Sequence, residues 1–279
     1  MPELPEVETI RRDLEKDIVG RRIKSVEVKG SRSIRRHPKP AALKSLVESK
    51  RVNGVRRSGK YLLMDLEGDV LLVVHLGMSG QLLRAKSQKE PLPDHTHLVF
   101  VFTQGGELRF VDPRTFGEVF ATPVAEIPDR FPEFAKLGFD PLEDVMSWTS
   151  FGELLVKRPV ALKALLMDQS FVAGIGNIYS DEILFAAGLR YDRLSTTLSS
   201  QEIRRLYRSM VETLSEAVKH RGSSLADEQY RDIFGEIGDY QGQHQVYGRE
   251  GQACRRCHAP VVREKVSGRS TFYCARCQV

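Results

Sequence analysis

The sequence has no long apolar run and no cysteine before its last twenty-six residues, and both absences narrow what the chain can be. A membrane-spanning helix needs roughly eighteen or more consecutive apolar residues, so no membrane span is expected. The first residues carry carboxylates where a secretory signal would have a basic and then an apolar stretch. We therefore expect a cytoplasmic protein with no membrane partner, and 279 residues suggest about two domains.

Acidic residues are scarce in one stretch of the chain. The net charge is +5, but residues 21–60 contain fourteen Lys or Arg against two Glu, whereas residues 1–20 contain six acidic and three basic side chains. So dense a positive run exceeds what solubility requires and indicates binding to a polyanion. Nucleic acid is favoured over a membrane surface because no amphipathic apolar face accompanies the charge.

The hydrophobic pattern changes period along the chain. Residues 3–18 predict a helix, because Val7, Ile10, Leu14 and Ile18 fall on one face. An antiparallel sandwich or a flattened barrel is expected next, since β-branched and aromatic segments alternate with glycines. The predicted strands are Lys24 to Val28, Tyr61 to Leu66, Val70 to Leu76, Leu98 to Phe102 and Glu107 to Val111.

The second half is predicted to be helical after a proline-bearing connector. Helices are expected over 160–168, 177–187 and 200–220, the last opened by a capping box of Ser199 with Glu202. The polar stretch 222–245 is too long for a simple connection. The expected segments are 1–122, a connector 123–148, then 149–221, 222–245 and 246–279.

The four cysteines form the pattern C-x2-C-x16-C-x2-C at Cys254, Cys257, Cys274 and Cys277. This spacing predicts two metal knuckles holding one structural Zn²⁺ through four thiolates. Two disulfides are the alternative, and a cytoplasmic location disfavours them. The basic hairpin between the knuckles, around 263–269, is expected either to contact DNA or to serve only as a structural clip.

The N-terminus carries its own chemistry. Removal of Met1 would leave Pro2 as a secondary amine, and an α-amino group with a pKa of roughly 7.7–8.0 is partly uncharged near neutral pH. Such an amine can attack a carbonyl carbon to form a Schiff base, with Glu3 beside it to exchange protons. The alternative is that Pro2 and Pro5 merely start a helix.

Three glycine-bounded turns complete the pattern. Residues 75–80 and 112–117 would follow strands, and their Met78, Arg114 and Phe116 suit a wedge that unstacks base pairs, although Met78 and Phe116 would ordinarily be core. The third turn, 174–179, places Asn177 at a predicted helix N-cap, where amides can bind a phosphate.

Taken in order along the whole chain, these motifs resemble bacterial formamidopyrimidine-DNA glycosylase, also called 8-oxoguanine DNA glycosylase. The motifs are MPELPEVE at the start, KYL at 60–62, HLGMSG at 75–80, DPRTFG at 112–117, GIGNIY at 174–179, VYGREG at 246–251 and RSTFYC at 269–274. The resemblance implies an α+β protein: an N-terminal helix plus β-sandwich domain, then a helix–two-turn–helix domain with a C-terminal four-cysteine zinc β-ribbon. It also implies a monomeric base-excision repair enzyme that acts on damaged double-stranded DNA in the nucleoid.

The resemblance further implies roles for individual residues. Pro2 would attack C1′ and displace an oxidised purine, with Glu3 as the acid/base, Lys60 as proton donor in β-elimination and Arg269 assisting δ-elimination. Met78, Arg114 and Phe116 would fill the vacated space in the duplex. The remaining DNA contacts would be His95, Arg158, Lys163 and Asn177.

Two departures from the family pattern leave alternatives open. Thr115 stands where the family commonly has a second arginine, and the loop 222–245, which in the family closes over the flipped base, differs in length and detail. An endonuclease VIII-like enzyme for oxidised pyrimidines is therefore one alternative. The other is a catalytically inactive lesion-binding protein.

Overall fold

The computed structural model describes residues 1–226 and 229–279, and these form two compact units. Unit 1 consists of Met1–Ala135 and His220–Asp239, and unit 2 consists of Lys136–Lys219 and Tyr240–Val279. Asp227 and Glu228, inside the predicted loop 222–245, lie outside the described residues. Among the helices that are described, none is long and apolar enough to cross a membrane. The five-segment division stays a prediction.

Unit 1 opens with helix α1 (Leu4–Ile18), which confirms the helix predicted over 3–18. Glu3 is its N-cap and Pro5 lies in its first turn, where a missing N–H is harmless. Its apolar face is fully buried, at Val7, Ile10, Leu14 and Ile18. The chain turns away at Gly20, whose φ of +85° favours glycine.

Two antiparallel four-stranded sheets follow, in the orders β1-β6-β7-β5 and β2-β3-β4-β8. The strands are β1 (Ile23–Val28), β2 (Val52–Ser58), β3 (Tyr61–Leu66), β4 (Val70–His75), β5 (Gln81–Ala85), β6 (Thr96–Phe102), β7 (Glu107–Val111) and β8 (Glu118–Pro123). Side chains from both sheets share one core with α1, including Val26, Phe100, Leu62 and Leu72. Of the two predicted architectures, the sandwich is the one observed.

The sequence pattern missed strands β2, β5 and β8, and also helices α2 (Pro40–Val47), α3 (Ile127–Arg130) and, in unit 2, α4 (Trp148–Val156). Strand β2 shows why. It contains Arg56 and Arg57, which break an apolar alternation, yet Arg57 is buried because its guanidinium meets Glu8 of α1 at 3.1 Å. A partner so distant in sequence is invisible to a local pattern.

Unit 2 contains helices α4 (Trp148–Val156), α5 (Leu162–Met167), α6 (Asn177–Ala187) and α7 (Ser200–Lys219). The predicted capping box opens α7, since Ser199 N donates to Glu202 Oε2 at 2.8 Å. Helix α6 begins at a different cap than predicted. Gly176 is the N-cap and Asn177 is the first helical residue, because the extended backbone ends at Gly176.

The C-terminal ribbon is a hairpin of β9 (Val262–Val266) and β10 (Arg269–Tyr273). Its apolar cluster is small and includes Phe185, Val246 and Phe272. Glu182 of α6 fastens the chain before the ribbon, since its buried carboxylate accepts backbone N–H groups from Gln245, Val246 and Tyr247 at 2.8–2.9 Å. So little apolar burial favours a metal as the main stabiliser.

Candidate active site and nucleic-acid interface

The first residues of the chain are held in a fixed conformation. Pro2 is buried and Glu3 is 2% exposed. Glu3 N donates to Glu6 Oε2 at 2.8 Å, and the Glu3 side chain accepts from the backbone of Glu6 in return. This capping box fixes the helix start and orients the Glu3 carboxylate. The helix-start and nucleophile interpretations of Pro2 are therefore compatible, because the helix positions the residue.

Lys60 lies in the two-residue turn between β2 and β3. Gly59 before it has a φ of +55°, and the buried Arg57 donates to Gly59 O at 3.1 Å. The same guanidinium pairs with Glu8 of α1. Burial alone would raise the pKa of Glu8, but hydrogen bonds from neighbouring arginines and the charge of Arg57 outweigh it and lower that pKa. An ionised Glu8 thus joins the Lys60 turn to the helix that begins at Glu3.

His75 stands next to this turn. Its ring packs against that of its cross-strand partner Tyr61, with centroids 4.8 Å apart. Burial, followed by the positive charges of Lys60 and neighbouring arginines, lowers the pKa of His75 to about 4. The imidazole is therefore neutral at physiological pH, and its Nδ1 accepts a hydrogen bond from Gly77 N at 3.2 Å.

The tips 75–80 and 112–117 pack together through one buried carboxylate. Asp112 is 0% exposed, and its two oxygens accept from Ser79 Oγ at 2.6 Å and from Gly117 N at 2.7 Å. Gly77 must be glycine, since a Cβ there would lie 2.6 Å from Gly117 N. The two tips are consequently held together as one rigid surface element.

Two large apolar side chains project from these tips. Met78 is 37% exposed and Phe116 is 47% exposed, so neither belongs to the core as an ordinary apolar residue would. The Arg114 guanidinium lies 5.3 Å from the Phe116 ring centroid, a cation–π contact. An exposed trio of Met, Arg and Phe on a rigid base suits insertion into a base stack.

The sequence did not reveal which residues hold the tip 112–117 in place. The sequence identifies Arg35 only as part of the basic run, yet it donates to Gly117 O at 2.9 Å and to Phe116 O at 3.4 Å. Thr115, the departure from the family pattern, has a φ of +54°. His95 is exposed, and its carbonyl accepts from Asp112 N at 3.0 Å, so it lies beside the same tip.

Much of the charge in the basic run is paired within unit 1. The observed partners are Arg22 with Glu67, Arg36 with Glu118, Arg56 with Asp65 and Arg57 with Glu8. The positive charge available to a polyanion is therefore smaller than the sequence count suggests. A local count could not reveal this, because all four of these carboxylates lie outside the run.

Lys163 lies inside unit 2 rather than on its surface. It is 5% exposed, and its ammonium donates to Asp181 Oδ1 at 2.7 Å, to Thr271 Oγ1 at 3.0 Å and to Ser270 O at 3.2 Å. Burial raises the pKa of Asp181 to about 7, against the opposing influence of Lys163. This pair ties strand β10 to helices α5 and α6.

Arg269, the first residue of β10, is exposed and pairs with Val266 across the tight turn of the hairpin. Together with Lys163, Met167 and Thr271 it lines a cavity of about 150 Å³ within unit 2. Lys163 binds the two residues that follow Arg269, so it fixes the start of the strand that carries Arg269.

Two further predicted contacts lie elsewhere in unit 2. Arg158 is partly exposed and pairs with Asp168 at 2.7 Å. Asn177 opens α6, and its buried Oδ1 has no hydrogen-bond partner within the described chain. This oxygen is an acceptor, so an anion at the helix start would be held by the Asn177 Nδ2 and by the first backbone N–H groups of α6 rather than by Oδ1.

The four cysteines meet as predicted. Their Sγ atoms lie within 4.8 Å of one another, with 3.9 Å between Cys254 and Cys277 and 3.4 Å between Cys257 and Cys274. A tetrahedral zinc with bonds of about 2.3 Å separates its sulfurs by roughly 3.8 Å, so the cluster fits one ion. All four are free thiols, not disulfides. The ribbon is a closed structural zinc site.

Three family models match the chain. They are the formamidopyrimidine-DNA glycosylase N-terminal domain over residues 1–119, the H2TH domain of that enzyme over 137–229, and the zinc finger found in FPG and IleRS over 251–279. The formamidopyrimidine-DNA glycosylase of Geobacillus kaustophilus is 45% identical, and that of Pelotomaculum thermopropionicum is 41% identical. The alignments cover all of this chain, and 100% and 99% of those proteins.

Solved structures agree with the family models. The MutM (Fpg) protein of Thermus thermophilus superposes with a TM-score of 0.88 at 42% identity, covering 99% of this chain and 98% of that one. The Lactococcus lactis Fpg bound to DNA with an abasic site gives 0.90 at 36% identity, covering 99% of each chain.

Fold and site together define a zinc-ribbon protein of two units whose sequence begins with a buried Pro-Glu pair after Met1. The chain belongs to the formamidopyrimidine-DNA glycosylase family.

Proposed function

We propose that this chain is a base-excision repair enzyme, a bifunctional DNA glycosylase and abasic-site lyase that removes oxidised purines such as 8-oxoguanine and formamidopyrimidines from duplex DNA. The observation that carries this is the buried Pro2–Glu3 start of α1, locked by its capping box, in a chain of this family. Relatives solved with DNA that contains an abasic site or an N7-benzyl-Fapy-dG lesion support the choice of substrate.

The chemistry begins at the Pro2 nitrogen once Met1 has been removed. Its lone pair forms a bond to C1′ of the damaged nucleotide, and the bond from C1′ to the base breaks, so the base leaves with that electron pair. The nitrogen then loses its proton, which balances the charge of the departing base and restores the lone pair that opens the sugar ring. Glu3 donates a proton to the sugar ring oxygen as the ring opens, which gives an iminium between Pro2 and C1′. The capping box fixes the residue next to Pro2, which supports this role for Glu3.

Strand cleavage follows from the iminium. Loss of a C2′ proton with departure of the 3′ phosphate is the β-elimination, and loss of a C4′ proton with departure of the 5′ phosphate is the δ-elimination. Lys60 serves the first step as proton donor, and Arg269 assists the second, since negative charge develops on each leaving phosphate. Hydrolysis of the remaining imine frees Pro2.

The other site residues would hold the DNA. Met78, Arg114 and Phe116 fill the space left in the duplex by the attacked nucleotide, as an exposed and braced trio can. His95, Arg158 and Asn177 contact phosphates, and Lys163 acts from within unit 2 by holding β10. The enzyme works as a monomer on DNA in the nucleoid.

Substrate choice is tested by comparing single-turnover excision on two duplexes, one with 8-oxoguanine opposite cytosine and one with thymine glycol. We expect faster excision of 8-oxoguanine. A preference for thymine glycol would instead favour the endonuclease VIII-like alternative.

Covalent chemistry is tested by borohydride reduction during the reaction, with the mass of the protein confirming that Met1 is absent. The wild-type chain should give a trapped protein–DNA complex, and Pro2→Gly should give much less. Lesion binding with no trapped complex would favour the inactive lesion-binding alternative.

A further inference from the structure

The segment His220–Asp239 folds with unit 1, although the chain on either side of it belongs to unit 2. Two of its side chains are buried in the unit 1 core, Tyr230 at 5% and Ile233 at 0% exposure. Its backbone also meets the edge of strand β5, since Arg84 N donates to Ile233 O at 2.7 Å. Its described part is therefore fastened to unit 1 by packing and by hydrogen bonds.

A single arginine joins this segment to helix α1. The Arg221 guanidinium binds Asp13 of α1, and it binds Asp232 Oδ2 through Nη2 at 2.5 Å and Nε at 3.1 Å. Asp13 is 7% and Asp232 is 2% exposed. The second oxygen of Asp232 accepts from Phe234 N and Glu236 N at 2.8 and 3.0 Å, so the arginine grips a folded turn. We call the three side chains Asp13, Arg221 and Asp232 the arginine clamp.

The arginine clamp holds the backbone of Arg221 in a conformation that is unfavourable for a residue other than glycine. Its φ is +59°, in the left-handed region that side chains other than glycine seldom adopt. Such a conformation persists where surrounding contacts over-determine it. Partial burial alone would lower the pKa of Arg221, but the hydrogen bonds from this side chain to Asp13 and Asp232 outweigh it and raise that pKa. The Arg221 guanidinium therefore stays protonated throughout the neutral pH range.

The residues next to Arg221 touch the catalytic start of the chain. Ser223 N donates to Glu6 Oε1 at 2.7 Å, and the other oxygen of Glu6 accepts from Glu3 N at 2.8 Å. A Cβ at Gly222 would lie 2.7 Å from Glu6 Oε1, so the approach is close. One carboxylate thus separates the segment from the backbone of Glu3.

We infer that Arg221 is a positioning residue for base removal: by joining Asp13 to Asp232 it holds His220–Asp239 beside the start of α1. The inference rests on the proposed function. Pro2 attacks C1′, the atom to which the departing base is attached, so that base lies close to Pro2 and hence near the segment. A DNA strand that already lacks the base offers nothing there for the segment to hold.

The test compares two reactions of the full-length enzyme. The Arg221→Gly variant keeps the backbone conformation, because glycine accepts a positive φ, and removes only the clamp. We expect single-turnover release of 8-oxoguanine to fall about tenfold, while cleavage of a preformed abasic site changes by less than about twofold. Arg221→Lys should lie between, since lysine keeps the charge but lacks the planar fork that reaches two carboxylates.

Two further variants make the result specific. Asp232→Asn should reproduce the selective loss, and combining it with Arg221→Gly should add little, as expected for two residues of one contact. Arg208→Ala breaks an ion pair within α7, that with Glu212 at 3.5 Å, and should leave the ratio of the two reactions unchanged.

The possible results of these assays either support or overturn the positioning role of Arg221. A tenfold loss confined to 8-oxoguanine release supports the positioning role. Equal losses in both reactions, or no loss in either, overturn it. If the wild-type chain with free Pro2 processes neither substrate, the proposed function itself fails, which no result among the Arg221 variants alone could indicate.

Discussion

The two ends of this chain hold the proposed catalytic groups by different means. The N-terminal Pro2–Glu3 pair is fixed by helix α1, whose buried face joins a core shared by two sheets. Arg269 near the C-terminus stands on a short hairpin whose apolar cluster is small and whose four cysteines gather around one zinc position. The proposed nucleophile is thus positioned by packing and buried carboxylates, whereas Arg269 stands on a hairpin held by the Lys163–Asp181 pair and by a metal site. We therefore expect the two ends to lose function through different changes: the N-terminal end when its nitrogen is blocked or its core is disrupted, and the C-terminal end when zinc is removed.

The largest expected effect comes from blocking the Pro2 nitrogen. An N-terminal extension left in place acylates that nitrogen, so it cannot attack C1′. We expect strand cleavage to fall at least about ten-thousandfold. The same protein after proteolytic removal of the extension, leaving Pro2 first, is the matched control. Residual activity above that level in the extended form would argue against Pro2.

Removing zinc should damage only the other end. Structural zinc supplies folding free energy outright, so a strong chelator or Cys257→Ser should unfold the ribbon and weaken binding to an abasic-site duplex by about a thousandfold. Unit 1 should stay folded, because its core contains no metal ligand. Far-UV and near-UV circular dichroism, with a fluorescence binding assay, measure both. Unchanged DNA binding by zinc-free protein would contradict this assignment.

A substitution in the buried face of α1 should instead destabilise unit 1. Ile10 is fully buried in α1, so Ile10→Ala should lower the free energy of unfolding by about 3 kcal/mol. Val261→Ala in the zinc-bound ribbon should cost only about 1 kcal/mol, because the metal supplies most of the local stability. Chemical denaturation of both variants provides the comparison. Similar costs would mean that packing stabilises the two ends alike.

The smallest effect is expected at the exposed tip. Phe116→Ala should weaken binding to an abasic-site duplex by about tenfold, since the ring fills space in the base stack. Its stability should hardly change, because the ring is 47% exposed. Leu92→Ala removes a comparably exposed apolar side chain, 46% exposed, and serves as the control. Equal losses from both variants would remove the special role of the tip.

How much the sequence could predict also differs between features. Helix α1, strands β3 and β7, and the zinc cluster follow from local period and spacing, and the structure confirms them. The buried Arg57 could not be foreseen, because only Glu8 across the fold makes its burial tolerable. The exposure of Met78 and Phe116 likewise depends on the buried Asp112, whose carboxylate binds Ser79 and Gly117 and so holds the tips 75–80 and 112–117 together.

The stretch predicted as a long loop shows the same limit. Its polar composition suggests little structure, yet Tyr230 and Ile233 enter the unit 1 core and Asp232 pairs with Arg221, the residue just before the predicted loop. Isolated apolar residues separated by charges give no periodic signal. The cap predicted at Asn177 is wrong by one residue, since glycine and asparagine both suit that position and only the backbone angles decide.

The central claim is that the Pro2 nitrogen forms the covalent bond to DNA, and peptide mapping tests it most directly. The borohydride-trapped complex is digested with protease and nuclease, and the peptide that carries the sugar remnant is sequenced by mass spectrometry. We expect the adduct on the N-terminal peptide, at Pro2. An adduct at Lys60 or any other lysine would contradict the assignment.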